Sequence, residues 1–369
     1  MKICFLGDAG HINLLSWVKY FMRLGHEIHI ISFNRPCEDV TGINLHLIDG
    51  AFKNNKLRYL LYTHKVKKII TLIQPDILIG YRVTSYGFMG VSSGFHPVVV
   101  VGQGSDLFYP GNSKIQKAIV RYTINKADLL HTWASHMSDK WLEYGMREDK
   151  ILVLPKGVDT NIFTHYERKG PEDSLILIST RQLRKTYNHD CILRALFLVL
   201  TNIPNLEYLI CGDGEYRHKL ELMAITLKLE NNIRFLGRIM HNELPSFLNS
   251  SDIYVSMQES DGVSSSLLEA MACGIFPIVT DIKANRLWID DGSNGFLIPV
   301  NDHVELARKI IAAYENPKLR QEAKSKNIAL VKEKASITSN TIKVVDLYSK
   351  LVDNFRNGKN KSLITSIQP

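Results

Sequence analysis

Asp261 and Glu269 stand with seven residues between them in the stretch SDGVSSSLLEAMACGIFPIVT, residues 260–280. The order of residue types is a turn with a carboxylate, a serine-rich run, an apolar helix that stops at Gly274, and a strand with the composition of a buried one. A serine-rich turn opening into a helix offers backbone amides and the positive end of the helix dipole to an anion. A second group of residues adds cations. Arg181 and Lys185 lie in STRQLRKTYN (179–188), directly after an apolar strand. Arginine can grip phosphate oxygens in pairs, whereas lysine supplies a compact charge. Cations that bind a departing phosphate more tightly as it gains charge lower the barrier to its departure.

The elements that must carry these residues alternate in type. KICFLG, then NLLSWVKYFMRLGH at helical spacing, then EIHIISF form a strand–helix–strand unit, which implies a parallel sheet with a right-handed crossover. DILIGY, HPVVVVGQG and DLLHTWA continue that series. SLILIST, NLEYLICGDGE, IRFLG, DIYVSMQ, IFPIVTD and GFLIPV form a second one, with helices such as HKLELMAITLKL and SSLLEAMACG between them. A chain of 369 residues with 45% hydrophobic content is longer than one typical domain and can bury a large core. We therefore expect an α/β protein of two Rossmann-like, doubly wound domains. Their expected bounds are 1–165 and 166–337, with FTHYERKGPEDS as linker, a C-terminal helix near 338–355 completing the first domain, and a loose tail over 356–369.

Other compositional features narrow the class. The five cysteines are scattered without CxxC or Cys/His spacing, so they read as reduced thiols, mostly in the core of a cytosolic protein, and not as a metal site or disulfide framework. The N-terminal MKICFLGDAG lacks a signal-peptide core, and no apolar run approaches the roughly 20 residues that span a bilayer. Open parallel sheets bind ligands at the carboxyl ends of their strands. The loops there carry glycine, serine or charge at GDAGH (7–11), GQGSD (102–106), STRQLRKTYN, CGDGE (211–215), LGRIM (236–240) and ESDGVSSS (259–266). They predict a ligand in a cleft between two facing domains.

Taken together, ESDGVSSSLLEAMACGIFPIVTD, STRQLRKTYN, CGDGE, FLGRIMHNELPSFLNSSDIYVSMQ, PKGVDTNIF and DDGSNGFLIPVND resemble glycosyltransferase family 4, most strongly over residues 150–315. The resemblance implies the GT-B fold and a retaining transferase that moves a sugar from a nucleotide-sugar donor, a UDP- or GDP-sugar, to a saccharide or lipid-linked acceptor. The products implied are cell-surface polysaccharide, lipopolysaccharide or glycolipid. It makes Asp261 and Glu269 the family's E-x7-E pair, with aspartate in the first place. Glu269 would accept from ribose hydroxyls, Asp261 would reach the donor sugar, and the amides of Val263, Ser264 and Ser265 would meet the diphosphate. Relatives often have glycine where Ser264 stands. Arg181 would bind the leaving diphosphate with Lys185 or Arg184 as the second cation, since Thr186 occupies the position that is lysine in many relatives. Gly212 and Asp213 would lie near the nucleotide, Arg238 and Ile239 at the base, and Gly10 and His11 against the donor phosphates. Gln103 stands where relatives often carry a histidine, which leaves His11 and His131 as substitutes.

No D-x-D triplet occurs, so we expect charge stabilisation by Arg181 and Lys185 without a required metal and with no cofactor besides the donor. The net charge is +8, and KNNKLRYLLYTHKVKKII (53–70) contains no acidic residue. As one helix it would set leucines and isoleucines beside a basic face, which suits an anionic membrane surface and a peripheral position on the inner face of the cell membrane. Nucleic acid is not expected as a partner, because no recognition module accompanies the basic residues. GDAGHI does not fit the G-x-G-x-x-G of a dinucleotide-dependent oxidoreductase. A sugar-nucleotide epimerase of the same fold and a catalytically silent nucleotide-sugar binder are the alternative readings.

Overall fold

The structure, a computed structural model, describes residues 1–49, 58–104, 114–167 and 174–358. The chain forms two compact units, Met1–Lys156 with the C-terminal part from Ile337 onward, and Gly157–Ser336. The first crossing thus falls ahead of the expected 165/166 boundary. Phe163, which that boundary assigned to the first domain, is buried in a core cluster of the second unit with Tyr254, Leu267 and Met271.

The first unit holds a seven-stranded sheet of order β3-β2-β1-β4-β5-β6-β7. Its strands are β1 Lys2–Leu6, β2 Glu27–Ser32, β3 Asn44–Leu47, β4 Ile77–Tyr81, β5 Val98–Gly102, β6 Leu129–Thr132 and β7 Ile151–Val153. All pair in parallel. The apolar face of helix Ile12–Arg23 explains the crossover after β1: Trp17 and Phe21 pack edge-on against Phe5 of β1 at centroid distances of 5.9 and 5.3 Å. The last helix, Ile337–Arg356, lies on the same unit. Its Tyr348 ring stacks on Phe21 at 6.4 Å, and its hydroxyl donates to Nδ1 of His131 at 2.8 Å. Arg356, expected to begin the loose tail, is helical and paired with Asp76.

The second unit holds a six-stranded sheet of order β10-β9-β8-β11-β12-β13. Its strands are β8 Leu175–Ser179, β9 Leu206–Ile210, β10 Ile233–Phe235, β11 Ile253–Ser256, β12 Phe276–Thr280 and β13 Phe296–Ile298, again all parallel. Strands β8 to β10 wind to one side and β11 to β13 to the other, so the winding reverses between β8 and β11. In the first unit it reverses between β1 and β4. These reversals are where open α/β sheets leave a crevice for ligands.

The basic stretch 53–70 departs from the single helix expected. Residues 53–57 lie outside the described residues, and the remainder forms helices Arg58–Leu61 and Thr63–Ile73 with a break at Tyr62. Val66, Ile70 and Ile73 face the core, which accounts for much of the apolar face that the sequence pattern shows.

Candidate active site

Arg181 leaves the end of β8 and Asp261 the loop after β11, the two strands flanking the reversal in the second unit. Arg181 Nη2 donates to Asp261 Oδ2 at 2.6 Å and Nη1 to Ser264 Oγ at 3.3 Å. The Tyr187 ring covers the guanidinium at 4.4 Å from its centroid. The arginine side chain is only 10% exposed. Burial works against its charge, but the Asp261 carboxylate together with Tyr254 and Tyr187 outweighs burial and holds its pKa above the ordinary arginine value. The loops are tied together as well, since Glu259 N–H donates to the Thr186 carbonyl at 3.3 Å.

The CGDGE loop explains why Arg181 stays in place. A Cβ at Gly212 would fall on the Arg181 carbonyl oxygen, and one at Gly214 on that of Leu183. Leu183 N–H donates to the Asp213 carbonyl at 3.1 Å, and Tyr216 N–H to the Leu183 carbonyl at 2.9 Å. Glycine is needed here for close backbone approach, and Gly212 and Asp213 buttress the arginine loop from behind.

Helix Ser265–Ala272 starts with Ser264 as N-cap, whose Oγ accepts from Leu267 N–H at 3.3 Å. Ser264 has φ −79°, so glycine is not required there. The helix ends in a Schellman pair: Gly274 N–H donates to the Met271 carbonyl at 3.0 Å and Ile275 N–H to that of Ala270 at 3.1 Å, with Gly274 at φ +76°. Glu269 therefore sits on a helix fixed at both ends. Its side chain is 12% exposed, and Oε1 lies 3.2 Å from Nε2 of His241. The His241 ring is in turn edge-on to Phe163 at 4.9 Å.

The structure thus brings Arg181, Asp261, Ser264 and the Gly212–Asp213 loop into one cluster, with Val263 and Ser265 beside it in the chain. The side chains of Lys185 and Arg184 are exposed on the following turn and make no hydrogen bond or ion pair with a described residue. Arg238 is exposed and Ile239 half-buried in the loop after β10, where Ile239 packs against the core below. Tyr187 and His241 were not singled out from the sequence. Both lay inside quoted motifs, STRQLRKTYN and FLGRIMHNELP, where an aromatic and a histidine carried no spacing signal.

Gly10 and His11 belong to the first unit. His11 caps helix Ile12–Arg23, its Nδ1 accepting from Asn13 N–H at 3.3 Å. Its pKa is lowered by burial and then by the positive charge of Arg82. His131 is buried, with Nε2 donating to the Leu154 carbonyl and Nδ1 accepting from Tyr348, both at 2.8 Å. Burial pushes its pKa down to about 4. A histidine with both nitrogens engaged inside the fold is a structural one. Among the described residues, no group of three or more His, Cys, Asp or Glu is placed to hold a metal ion.

Two parallel-sheet units, one with a clasped arginine and a capped helix N-terminus at its winding reversal, define an α/β protein of the doubly wound class. Residues 163–329 match the family Glycosyl transferases group 1, and residues 2–133 match Glycosyl transferase 4-like. The chain belongs to these group 1, family 4 type glycosyltransferases of GT-B fold. It is 30% identical to the putative glycosyltransferase EpsD of Bacillus subtilis over 40% of this chain and 38% of that protein. It is 27% identical to the UDP-Gal:alpha-D-GlcNAc-diphosphoundecaprenol alpha-1,3-galactosyltransferase of Escherichia coli over 56% of this chain and 55% of that one. The matches thus span only 38% and 55% of these relatives' lengths. The crystal structure of Anabaena HepE in complex with UDP superposes with a TM-score of 0.80 at 18% identity, covering 95% of this chain and all of that one.

Proposed function

We propose that the chain transfers a sugar from a nucleotide-sugar donor, a UDP- or GDP-sugar, to a saccharide or lipid-linked acceptor, with retention at the anomeric carbon. The observation that carries this reading is the Arg181–Asp261–Ser264 cluster at the β8/β11 reversal. A nucleoside diphosphate gains charge as its bond to the sugar breaks. A buried guanidinium already held by neighbours stabilises that charge without reorganising. Lys185, exposed on the adjoining turn, is the second cation in this reading. The amides of Val263, Ser264 and Ser265 meet the diphosphate, and Asp261 faces the sugar end. Glu269, hydrogen-bonded to His241 through one oxygen, has its other oxygen for the ribose hydroxyls. Arg238 and Ile239 line the nucleotide, with Gly212 and Asp213 behind the arginine loop beside it. No metal takes part, because the arginine and lysine do the work of a cation.

The similarity to the Escherichia coli relative, named as a transferase acting on a diphosphoundecaprenol-linked sugar, supports a lipid-linked acceptor. So does the surface of the first unit. Leu60, Leu61 and Leu72 are 61%, 45% and 85% exposed, and Ile115 of the helix Lys114–Lys126 is 72% exposed. Neither helix Thr63–Ile73 nor Lys114–Lys126 contains an acidic residue, while Lys67, Lys68, Lys114, Lys117 and Arg121 are exposed on them. Apolar tips among cations suit an anionic lipid surface. Among the described residues no helix is long and apolar enough to cross a membrane, so docking from one side is the proposed mode.

A thermal-shift panel of UDP-, GDP- and ADP-sugars tests the donor site, because a ligand that binds only the native state raises its stability by RT ln(1 + [L]/Kd). No shift with any of them at millimolar concentration would sink the reading. Vesicle sedimentation tests the surface: binding to anionic vesicles should weaken with salt and with Lys65, Lys67 and Lys68 changed to glutamate. Equal binding by wild type and variant would remove the membrane from the proposal.

A further inference from the structure

The helix that carries Glu269 is fixed at both ends, but a helix fixes only where a side chain starts. The bonds beyond Cα still turn, and a carboxylate that must order itself on a ligand loses affinity to that ordering. The chain supplies a hold from another element. His241 lies in the loop between β10 and helix Leu244–Asn249, 28 positions from Glu269, and its Nε2 is 3.2 Å from Glu269 Oε1. A carboxylate oxygen only accepts, so Nε2 carries the hydrogen and donates. Oε1 is thereby taken, and Oε2 has no hydrogen-bond partner among the described residues.

The histidine is itself held. Its ring stands edge-on to Phe163, with centroids 4.9 Å apart and planes at 65°. Phe163 is buried in the cluster that also contains Leu267, Leu268 and Met271 of the Glu269 helix, so ring and carboxylate share one foundation. The loop is fastened before and after the histidine. Arg217 Nη2 donates to the Phe235 carbonyl at 3.4 Å, while its Nε is paired with Glu221 at 2.8 Å. Glu243 N–H and Leu244 N–H both donate to the Met240 carbonyl, at 2.9 and 3.2 Å. The His241 side chain remains 47% exposed against 12% for Glu269. Its place in the loop therefore owes less to burial than to the ring contact and the carboxylate.

We propose that His241 is a positioning residue for the donor: it fixes the rotation of the Glu269 carboxylate so that Oε2 meets a ribose hydroxyl, and it thereby makes the site select ribonucleotides over deoxyribonucleotides. The inference rests on the assignment of Glu269 to the ribose in the transferase reading above. An oxygen that can only accept favours an O–H donor. Against a deoxyribose carbon the same oxygen is left desolvated and unpaired, which is how a site built for a hydroxyl rejects the analogue without it. A carboxylate free to turn discriminates less, because it can rotate back toward water. A pair that merely tied the loop to the helix would act on every nucleotide equally.

The test is calorimetric titration of the full chain with UDP and GDP, and with the 2′-deoxy and 3′-deoxy forms of whichever binds more tightly. At least one deoxy form should bind wild type about tenfold or more weakly than its parent, as expected for loss of a hydrogen bond to a charged group. His241→Ala should shrink that ratio to about threefold or less by weakening the parent, with the deoxy form little affected. His241→Gln places an amide N–H where Nε2–H was and should restore most of the ratio, whereas the shorter His241→Asn should behave as alanine. In a Glu269→Ala background, His241→Ala should change the ratio no further. Substitutions at exposed positions are usually near neutral in stability, and the contrast between the two amide variants separates lost positioning from a disturbed fold. The proposal is overturned if His241→Ala keeps the wild-type ratio, if it weakens parent and deoxy forms alike, or if His241→Gln restores nothing. If wild type binds parent and deoxy forms equally, Glu269 does not read the ribose, and that assignment falls together with this inference. If neither diphosphate binds, the transferase reading itself falls.

Discussion

Both sheets reverse their winding once, and the two reversals hold an arginine in opposite ways. At β8/β11, Arg181 is enclosed by Asp261, Ser264 and Tyr187, and its backbone is braced by the glycine loop at Gly212. At β1/β4, Arg82 is exposed, has one long hydrogen bond and sits on a disfavoured backbone. The first arrangement places the stabilising energy around the charge and suits a group that gains charge beside it, as a departing diphosphate does. The second leaves the charge open and places the constraint in the backbone behind it. One charge is held by contacts and the other by chain geometry.

The largest effect should come from breaking the enclosed site. Arg181→Ala should lower kcat by on the order of a hundredfold or more, as loss of one preorganised electrostatic contact does. Glu269→Ala should instead weaken nucleotide affinity, for nucleotide sugar and free nucleoside diphosphate alike, with a smaller effect on turnover. Nucleotide Kd measured beside kcat separates the two. Normal turnover by Arg181→Ala would mean that the enclosed charge is structural and that the contrast with Arg82 has no catalytic meaning.

Gly212→Ala tests the bracing without touching the charge. The added Cβ meets the Arg181 carbonyl, a backbone atom that cannot swing aside. We expect a stability loss of about 1–3 kcal/mol, typical of overpacking, together with weaker nucleotide binding as the arginine loop shifts. Unchanged nucleotide Kd and melting temperature would show that the loop has slack.

Acid should reach both units by the same route. His131 in the first and His189 in the second are fully buried, and burial lowers each to about 4 from an ordinary 6.5. Between those values the unfolded chain binds the proton and the folded chain does not, so each contribution is intact above pH 6.5 and is lost as pH falls toward 4. The steepest loss is about 1.4 kcal/mol per pH unit for each histidine. Hydrogen exchange resolved by unit should show both weakening in this window, with His131→Asn flattening the first and His189→Asn the second. A flat profile in either unit would contradict the assignment.

The second unit's site was more legible in the sequence than the first's, and the reason is physical. Anion-binding amides, a helix cap and the glycines of a close approach must be near one another in the chain, so SDGVSSSLLEA and CGDGE carry them as local patterns. That Asp261 would bind Arg181 was not readable, because the pair spans 80 positions and depends on strand order. Arg82 had no local signature beyond Gly80 and Gly87, whose roles appear only once the turn after β4 is folded back on its strand. Strands β3 and β7 escaped notice for a similar reason. NLHL is a half-exposed edge of mixed polarity, and ILV is three residues long, so neither shows a clear period.

The smallest expected effect concerns Ser264, and it decides whether the enclosure depends on a side chain or on the backbone alone. Its hydroxyl accepts from both Leu267 N–H and Arg181 Nη1 while capping the helix that carries Glu269. Ser264→Ala removes both contacts and should cost about 1 kcal/mol, the usual value of an N-cap. Ser264→Gly should cost only a few tenths, because glycine is itself a tolerated cap. If the amides and not the hydroxyl hold the diphosphate, nucleotide Kd should stay within about twofold of wild type in Ser264→Gly, since the backbone donors are unchanged. A tenfold loss of nucleotide affinity in that variant would show that the hydroxyl is part of the binding surface, and that Arg181 needs Ser264 as well as Asp261 to stay in position.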